Sequence, residues 1–283
     1  MENAPMRMLI GLVLFAASGA AMASHECKFS AERNFDIDPA GLKGLQLVLG
    51  SSDAHVNGVA GLKRIEVRGK ACASEEEWLK DLVVNQERVG DHVRVETKKN
   101  HDSHVNWFGS SYAYIDLEVR LPTDLPVDVD AASGDAIVAN IATLNFASGS
   151  GDLQADHIAG AVTIKVGSGD ATIEDIGNVN VERVGSGDIR ATKVRGEAKV
   201  GHVGSGDLKF ADVHGGVQIE SVGSGDVIVN RAGGDVTVGS IGSGDVTVDG
   251  IGGNFVVHSA GSGDLHHHNV TGKVEVPKRH QDD

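Results

Sequence analysis

Residues 222–230 read Val-Gly-Ser-Gly-Asp-Val-Ile-Val-Asn, a glycine corner followed by a short alternating strand. Versions of its Ser-Gly-Asp phrase end at Asp135, Asp152, Asp170, Asp188, Asp207, Asp226, Asp245 and Asp264, so that successive spacings are 17, 18, 18, 19, 19, 19 and 19. A period this regular marks stacked supersecondary units. Apart from His267, the first and third residues after each aspartate are apolar, as in Val227 and Val229, Val246 and Val248, or Leu208 and Phe210. These face inward, and the second and fourth face outward.

A second alternating run fills the rest of each unit, as in Val217-Gln218-Ile219, Val236-Thr237-Val238 and Phe255-Val256-Val257. Glycine pairs such as Gly215-Gly216, Gly233-Gly234 and Gly252-Gly253 introduce it. Two strands and two glycine corners make one coil of a narrow solenoid. The alternative is an antiparallel meander or sandwich in which each half-unit reverses direction. Recurrence of equivalent residues once per whole unit favours the parallel stack, with Val166, Val184, Val203, Val222, Ile241 and Ala260 forming one inward column. The expected fold is therefore all-β, a parallel single-chain β-solenoid (β-helix) with 18–19 residue coils over 131–276. Seven intervals of about 4.8 Å give an arm about 34 Å long.

Residues 24–130 carry longer alternating strands, among them Leu45–Leu49, Arg64–Arg68 and Tyr114–Val119. They read as irregular first coils of the same stack, with Gly50-Ser51-Ser52-Asp53 as a degenerate corner. Ser74-Glu75-Glu76-Glu77 has the pattern of a capping box. It predicts a helical insert at 74–84, through Trp78, Leu79 and Leu82, placed to cap the open end of the stack.

Residues 1–23 read as a signal peptide: Arg7 supplies the positive segment, Met8 to Ala17 the apolar one, and Ala21-Met22-Ala23 the cleavage site. The expected protein is exported, periplasmic or at the cell surface, with no transmembrane segment in the mature chain. The tail 277–283 reads as disordered. In an oxidising compartment Cys27 and Cys72 have one possible pairing, a disulfide. The net charge of −15 argues against nucleic acid as a partner. Aromatic residues make up only 4% of the chain, so small aliphatic side chains must carry the burial.

With these features the chain resembles the bacterial "putative adhesin" group with β-strand repeats, related to the auto-transporter adhesin, head GIN domain proteins. The likeness rests on the signal peptide, the strand and degenerate corner at 45–56, the charged insert at 74–89, Val119-Arg120-Leu121-Pro122 entering the repeats, and the Ser-Gly-Asp corners to residue 264. The resemblance implies an exported β-solenoid of unestablished biochemical function, with no catalytic residues to transfer.

The stacked aspartates raise an electrostatic question. Carboxylates about 4.8 Å apart repel by about 0.9 kcal/mol in water and about 3.5 at an effective dielectric of 20. Either each carboxylate accepts hydrogen bonds from the Ser hydroxyl or Gly amides of the corners, or cations such as calcium neutralise the row. Calcium takes six to eight oxygens, and the second corner usually lacks a matching acid, so the hydrogen-bonded reading is preferred and no cofactor is expected.

His266 and His268 share an outward strand face and are the candidate ligands of a metal site, while His267 takes the inward position of Val248 and Val229. Trp107, Phe108, Tyr112 and Tyr114 form an aromatic cluster in a polar segment, a candidate contact surface for an unknown envelope protein or polysaccharide. G-x-S-x-G, H-E-x-x-H and phosphate-loop motifs are absent. The sequence thus predicts a non-enzymatic adhesin-like or scaffolding solenoid; the alternatives are a cation-binding repeat protein and a carbohydrate-active β-helix enzyme.

Overall fold

The computed structural model describes residues 27–100 and 111–277. The segment 1–23 read as a signal peptide, Trp107, Phe108 and the tail beyond Pro277 lie outside the described residues. Strand after strand follows the alternation of the sequence: β1 (Phe29–Glu32), β2 (Phe35–Ile37), β3 (Gly44–Gly50), β4 (Asp53–Val59), β5 (Ile65–Ala73), β6 (Leu82–Val89), β7 (His92–Lys99), β8 (Ala113–Pro122), β9 (Val127–Ala131), β10 (Ala136–Ala139) and β11 (Leu144–Ser148). The next two coils are each one bent strand, β12 (Leu153–Val166) and β13 (Ala171–Val184).

After these the coils divide into paired strands of six residues. They are β14 (Ile189–Val194) with β15 (Ala198–Val203), β16 (Leu208–Val213) with β17 (Val217–Val222), β18 (Val227–Ala232) with β19 (Val236–Ile241), and β20 (Val246–Ile251) with β21 (Phe255–Ala260). The last coil holds β22 (Leu265–Val270) and the two-residue β23 (Val274–Glu275).

From β9 onward every pairing is parallel and joins equivalent residues of successive coils. Leu208 sits over Val227, Val227 over Val246, and Val246 over Leu265. This is the expected parallel β-solenoid. Its two walls enclose one continuous apolar core running from Leu45 to Val257, in which Phe146, Phe210 and Phe255 are the largest fully buried side chains.

Each six-residue strand from β14 to β20 turns three side chains inward, at its first, third and sixth positions. Simple alternation would send the sixth residue outward. The fifth residue of the first strand of each coil corrects this by taking a left-handed conformation: Asn140, His157, Asp175, Lys193, Asp212, Arg231 and Asn269 have φ between 48° and 61°, and Gly250 has 71°. One left-handed residue bends the strand as a bulge does. Ile141, Ile158, Ile176, Val194, Val213, Ala232 and Ile251 thereby return to the core.

The N-terminal coils are not stacked in chain order. β3 lies between β7 and β9, pairing Leu45 with both Val93 and Val127. Likewise β4 lies between β8 and β10. The chain therefore lays down an inner coil first, builds β5–β8 outside it, and returns across it to start the regular repeats.

Antiparallel strands, not a helix, close the outer end of the stack. β5 runs antiparallel to β8 and carries β1 and β2 on its other side, while β6 runs antiparallel to β7. Such pairing satisfies an edge that would otherwise template association. The helical insert is a six-residue 3-10 helix, Glu76–Asp81, and Leu82 already begins β6. The predicted capping box does not form, because Ser74 continues the β5–β8 ladder: its amide donates to Tyr112 O, and its Oγ accepts from the Tyr112 amide. Arg33 binds the far end of this helix instead, donating to the carbonyls of Leu79 and Leu82. Trp78 and Leu79 pack on a small satellite core of Ala71, Ala73, Leu82 and Ile115. The Cys27–Cys72 disulfide, with Cα atoms 5.4 Å apart, staples the segment before β1 to β5.

Candidate functional site

The repeated corner is built by backbone-to-backbone contact between coils. The Ser224 amide donates to Gly204 O and the Gly223 amide to Val203 O, a pattern repeated up the stack. At the second glycine of each corner, the backbone of the preceding coil occupies the space a side chain would need. A Cβ at Gly225 would overlap the carbonyl oxygen of Gly206, and the same holds at Gly206, Gly244 and Gly263 against their predecessors. Glycine is required there by close approach rather than by φ.

The aspartates form a hydrogen-bonded ladder. Each donates its own amide N–H to Oδ1 of the aspartate one coil earlier: Asp152 to Asp135 at 2.9 Å, Asp170 to Asp152 at 2.8, Asp188 to Asp170 at 2.8, Asp207 to Asp188 at 2.9, Asp226 to Asp207 at 3.0, Asp245 to Asp226 at 2.9 and Asp264 to Asp245 at 2.6. Asp135 donates in turn to Asp53 at 2.9 Å, so the degenerate corner is the first rung. The donor is the next aspartate's amide, not the Ser hydroxyl or Gly amide anticipated from the motif. Bonds from N–H to a carboxylate are charge-assisted and stronger than neutral ones. The Asp207 carboxyl is held below the ordinary carboxylate range, first by the Asp226 amide and then by Lys209, whose Nζ lies 3.3 Å from Oδ2.

A shorter ladder occupies the opposite corner with mixed residues. Asn178 Oδ1 accepts from the Glu197 amide at 2.9 Å, Asp235 Oδ1 from Asn254 at 2.7, and Asn254 Oδ1 from Lys273 at 2.9. Asparagine and aspartate serve interchangeably in the same geometry. What the corner uses is an acceptor oxygen on a short side chain, and a negative charge is not required.

The left-handed column carries ion pairs between coils. Asp212 receives two bonds from Arg231, at 2.5 and 2.8 Å, which hold its carboxyl below the usual range. Lys193 lies 2.6 Å from Glu174 and is raised by it, and Arg195 pairs with Asp175 while donating to Ile158 O. These pairs are largely exposed, and such contacts contribute little stability. They tile the surface with alternating charge.

Of the aromatic candidates, Tyr112 and Tyr114 lie together, ring centroids 5.9 Å apart. Tyr112 Oη accepts from the Lys28 amide at 2.9 Å, and Tyr114 lies beside Cys27 Sγ at 3.9 Å. Both therefore pack the N-terminal segment onto β8. Burial raises the Tyr114 phenol above its ordinary pKa, with Asp116 adding to the effect. His266 and His268 are exposed on β22, in register with Thr247 and Asp249.

The second wall offers a shallow open depression of about 280 Å³, bordered by Asn180, Glu182, Lys199, His202, Gln218 and Glu220. Gly201 also lines it, and a Cβ there would meet the Glu182 carbonyl oxygen at 2.5 Å, so close approach of the coil before excludes a side chain. Sequence reasoning missed it, although a glycine inside a strand, the mark of a close backbone approach, was the available signal. Among the described residues no three His, Cys, Asp or Glu side chains converge as metal ligands, and no helix is long and apolar enough to cross a membrane.

A family model described as Toastrack DUF4097 matches residues 73–276, well over half of the chain. The chain belongs to this family. The Toastrack match takes in β8, the regular coils and the corner ladder from Asp135 to Asp264. No curated protein matches the sequence.

Among solved structures, the chain is similar to a "putative adhesin" of Parabacteroides distasonis, 10% identical with a TM-score of 0.54, covering 84% of this chain and 97% of that one. It is also similar to a "putative lipid binding protein" of the same species, 15% identical, TM-score 0.49, covering 87% and 96%. A "putative adhesin" of Bacteroides fragilis is 12% identical, TM-score 0.39, covering 88% and 97%. The likeness to the first is one of fold.

Proposed function

We propose that this Toastrack protein is an exported, non-enzymatic solenoid that acts by presenting its walls to an envelope protein or polysaccharide, as an adhesin-like or scaffolding element. The observation that carries this reading is the regularity of the coils. From β14 onward, corner glycines pack directly on the coil before, leaving no loops to build a cleft. Binding would fall on flat or shallow wall surfaces such as the depression over Gly201. Its amide, carboxylate, ammonium and imidazole groups are suited to the hydroxyls and charges of a polysaccharide. The adhesin description carried by the Parabacteroides distasonis protein of similar fold agrees with this reading.

The corner aspartates are assigned an architectural role in this reading, because Oδ1 of each carboxylate from Asp53 to Asp245 accepts an amide N–H.

The test is a binding and turnover screen of bacterial envelope polysaccharides on the immobilised protein, repeated with Lys199→Ala/Gln218→Ala. Saturable binding without chain cleavage, weakened tenfold or more in the double variant, is the expected result. Cleavage of any glycan would refute the non-enzymatic assignment, and undiminished binding by the double variant would move the contact away from this wall.

A further inference from the structure

The two ends of the solenoid are treated differently. Antiparallel strands cover the outer face of β7 and β8, whereas β22 pairs only with β20, and β23 only with β21, among the described residues. The last coil consequently leaves core positions open. Leu265 and Val270 are only partly buried, Val274 is exposed, and His267 stands in the inward column with its ring 6.2 Å from that of the fully buried Phe255.

Along β22 this edge carries none of the lysines and prolines that commonly blunt such strands; in this coil they flank β23, as Lys273 and Pro277. Between Leu265 and Val270 the only ionisable side chains are three imidazoles, in a chain whose net charge is −15. His266 and His268 project from the same outward face, over Thr247 and Asp249 of the coil before. A single chain thus offers two imidazoles at i and i+2, half of a tetrahedral set. Imidazole suits zinc, copper and nickel, and zinc sites take four ligands or three plus water.

The missing half is present in a second copy. Two β22 edges paired antiparallel about a two-fold axis through His267 place His266 of each opposite His268 of the other. Directly opposed residues have Cβ atoms about 4.5–5.5 Å apart. Four imidazoles then lie on one face of the joined sheet, and the open core positions of both ends are covered. The edge strands contribute only eight residues per copy, six from β22 and two from β23, against the roughly 20–30 per side of a stable interface. Strand pairing alone is too small to hold the copies together.

We infer that the C-terminal coil is a zinc-dependent self-association surface, in which His266 and His268 of two copies share one imidazole-bound ion and join the solenoids end to end. The inference is independent of what the walls bind.

It is tested on the full mature protein by light-scattering mass with zinc chloride and with EDTA, alongside zinc titration calorimetry. The expected result is one copy in EDTA, two copies in zinc, and one ion per two chains. His266→Ala/His268→Ala should remain a single copy at every zinc concentration with an unchanged melting temperature, while His267→Ala keeps the doubling. A mass that stays at one copy in zinc would overturn the inference. So would a doubling that persists in the double variant, or zinc bound one per chain without any change in mass.

Discussion

The amide of Asp226 donates to Oδ1 of Asp207, nineteen residues earlier in the chain and one coil away in the stack, at 3.0 Å. Repeated from Asp53 to Asp264, this relationship converts a column of like charges into a column of charge-assisted bonds. Its counterparts at the other corner, Asn254 on Asp235 and Lys273 on Asn254, show that either aspartate or asparagine supplies the acceptor.

Replacing one rung separates the acceptor from the charge. Asp226→Ala removes the acceptor for the Asp245 amide and should destabilise by about 2 kcal/mol, in the usual range for a bond to a charged group. Asp226→Asn keeps the acceptor, relieves repulsion from its neighbours, and should be neutral or slightly stabilising. Urea unfolding of both variants checks this; an equal loss in the two would mean the carboxylate itself is needed.

Gly225→Ala introduces a methyl group into the Gly206 carbonyl and cannot be accommodated without separating two coils. A loss of about 3 kcal/mol or failure to fold is expected, as for severe overpacking. Gly61→Ala is the comparison: φ there is +75°, but the space is open, so only about 1 kcal/mol of backbone strain is expected. Thermal melts of the two variants should rank in that order.

The Cys27–Cys72 bridge closes 45 residues. On a chain-entropy account its removal costs about 4 kcal/mol. Cys27→Ser/Cys72→Ser should lower the melting temperature and raise amide exchange first in β1 and β5, leaving the coils after β13 protected. Uniform loss of protection along the stack would contradict the local role assigned to the bridge.

Asp91 is held down to about 2 by a hydrogen bond from Lys43 and then by His92. Its folded pKa lies below the ordinary 3.8, so the stabilisation is complete above that value and disappears as pH falls toward about 2. A carboxyl-carbon NMR titration should find this low midpoint in the native protein and an upward move in Lys43→Ala. A native midpoint near 3.8 would contradict it.

The coil was legible because its information is periodic: Val222, Gly225, Asp226 and Val229 each recur at the same place in successive units. The inward sixth position was equally periodic, from Ile141 to Ile251, but it breaks simple alternation and depends on a left-handed residue. Asn140, His157, Lys193 and Arg231 share no side-chain chemistry that would announce that conformation. The nesting of β3 and β4 between later strands is a long-range choice invisible to local pattern. Ser74 looked like a cap because its sequence neighbours fit one, yet its hydrogen bonds go to Tyr112, 38 residues away. At the candidate site, the aspartate column could be read from the motif but its donor could not, since that donor belongs to the coil above. The depression over Gly201 went unseen because its lining comes from three separate coils.

The central claim is that the corner aspartates are architectural acceptors in a stack of coils. It is tested most directly by the melting temperature of Asp188→Asn/Asp207→Asn/Asp226→Asn/Asp245→Asn against the unaltered protein, each in calcium chloride and in EDTA. The account predicts a folded variant melting at or above the unaltered protein, with neither protein shifted by calcium. A variant that fails to fold, or a calcium-dependent rise in melting temperature that the substitutions abolish, would contradict it.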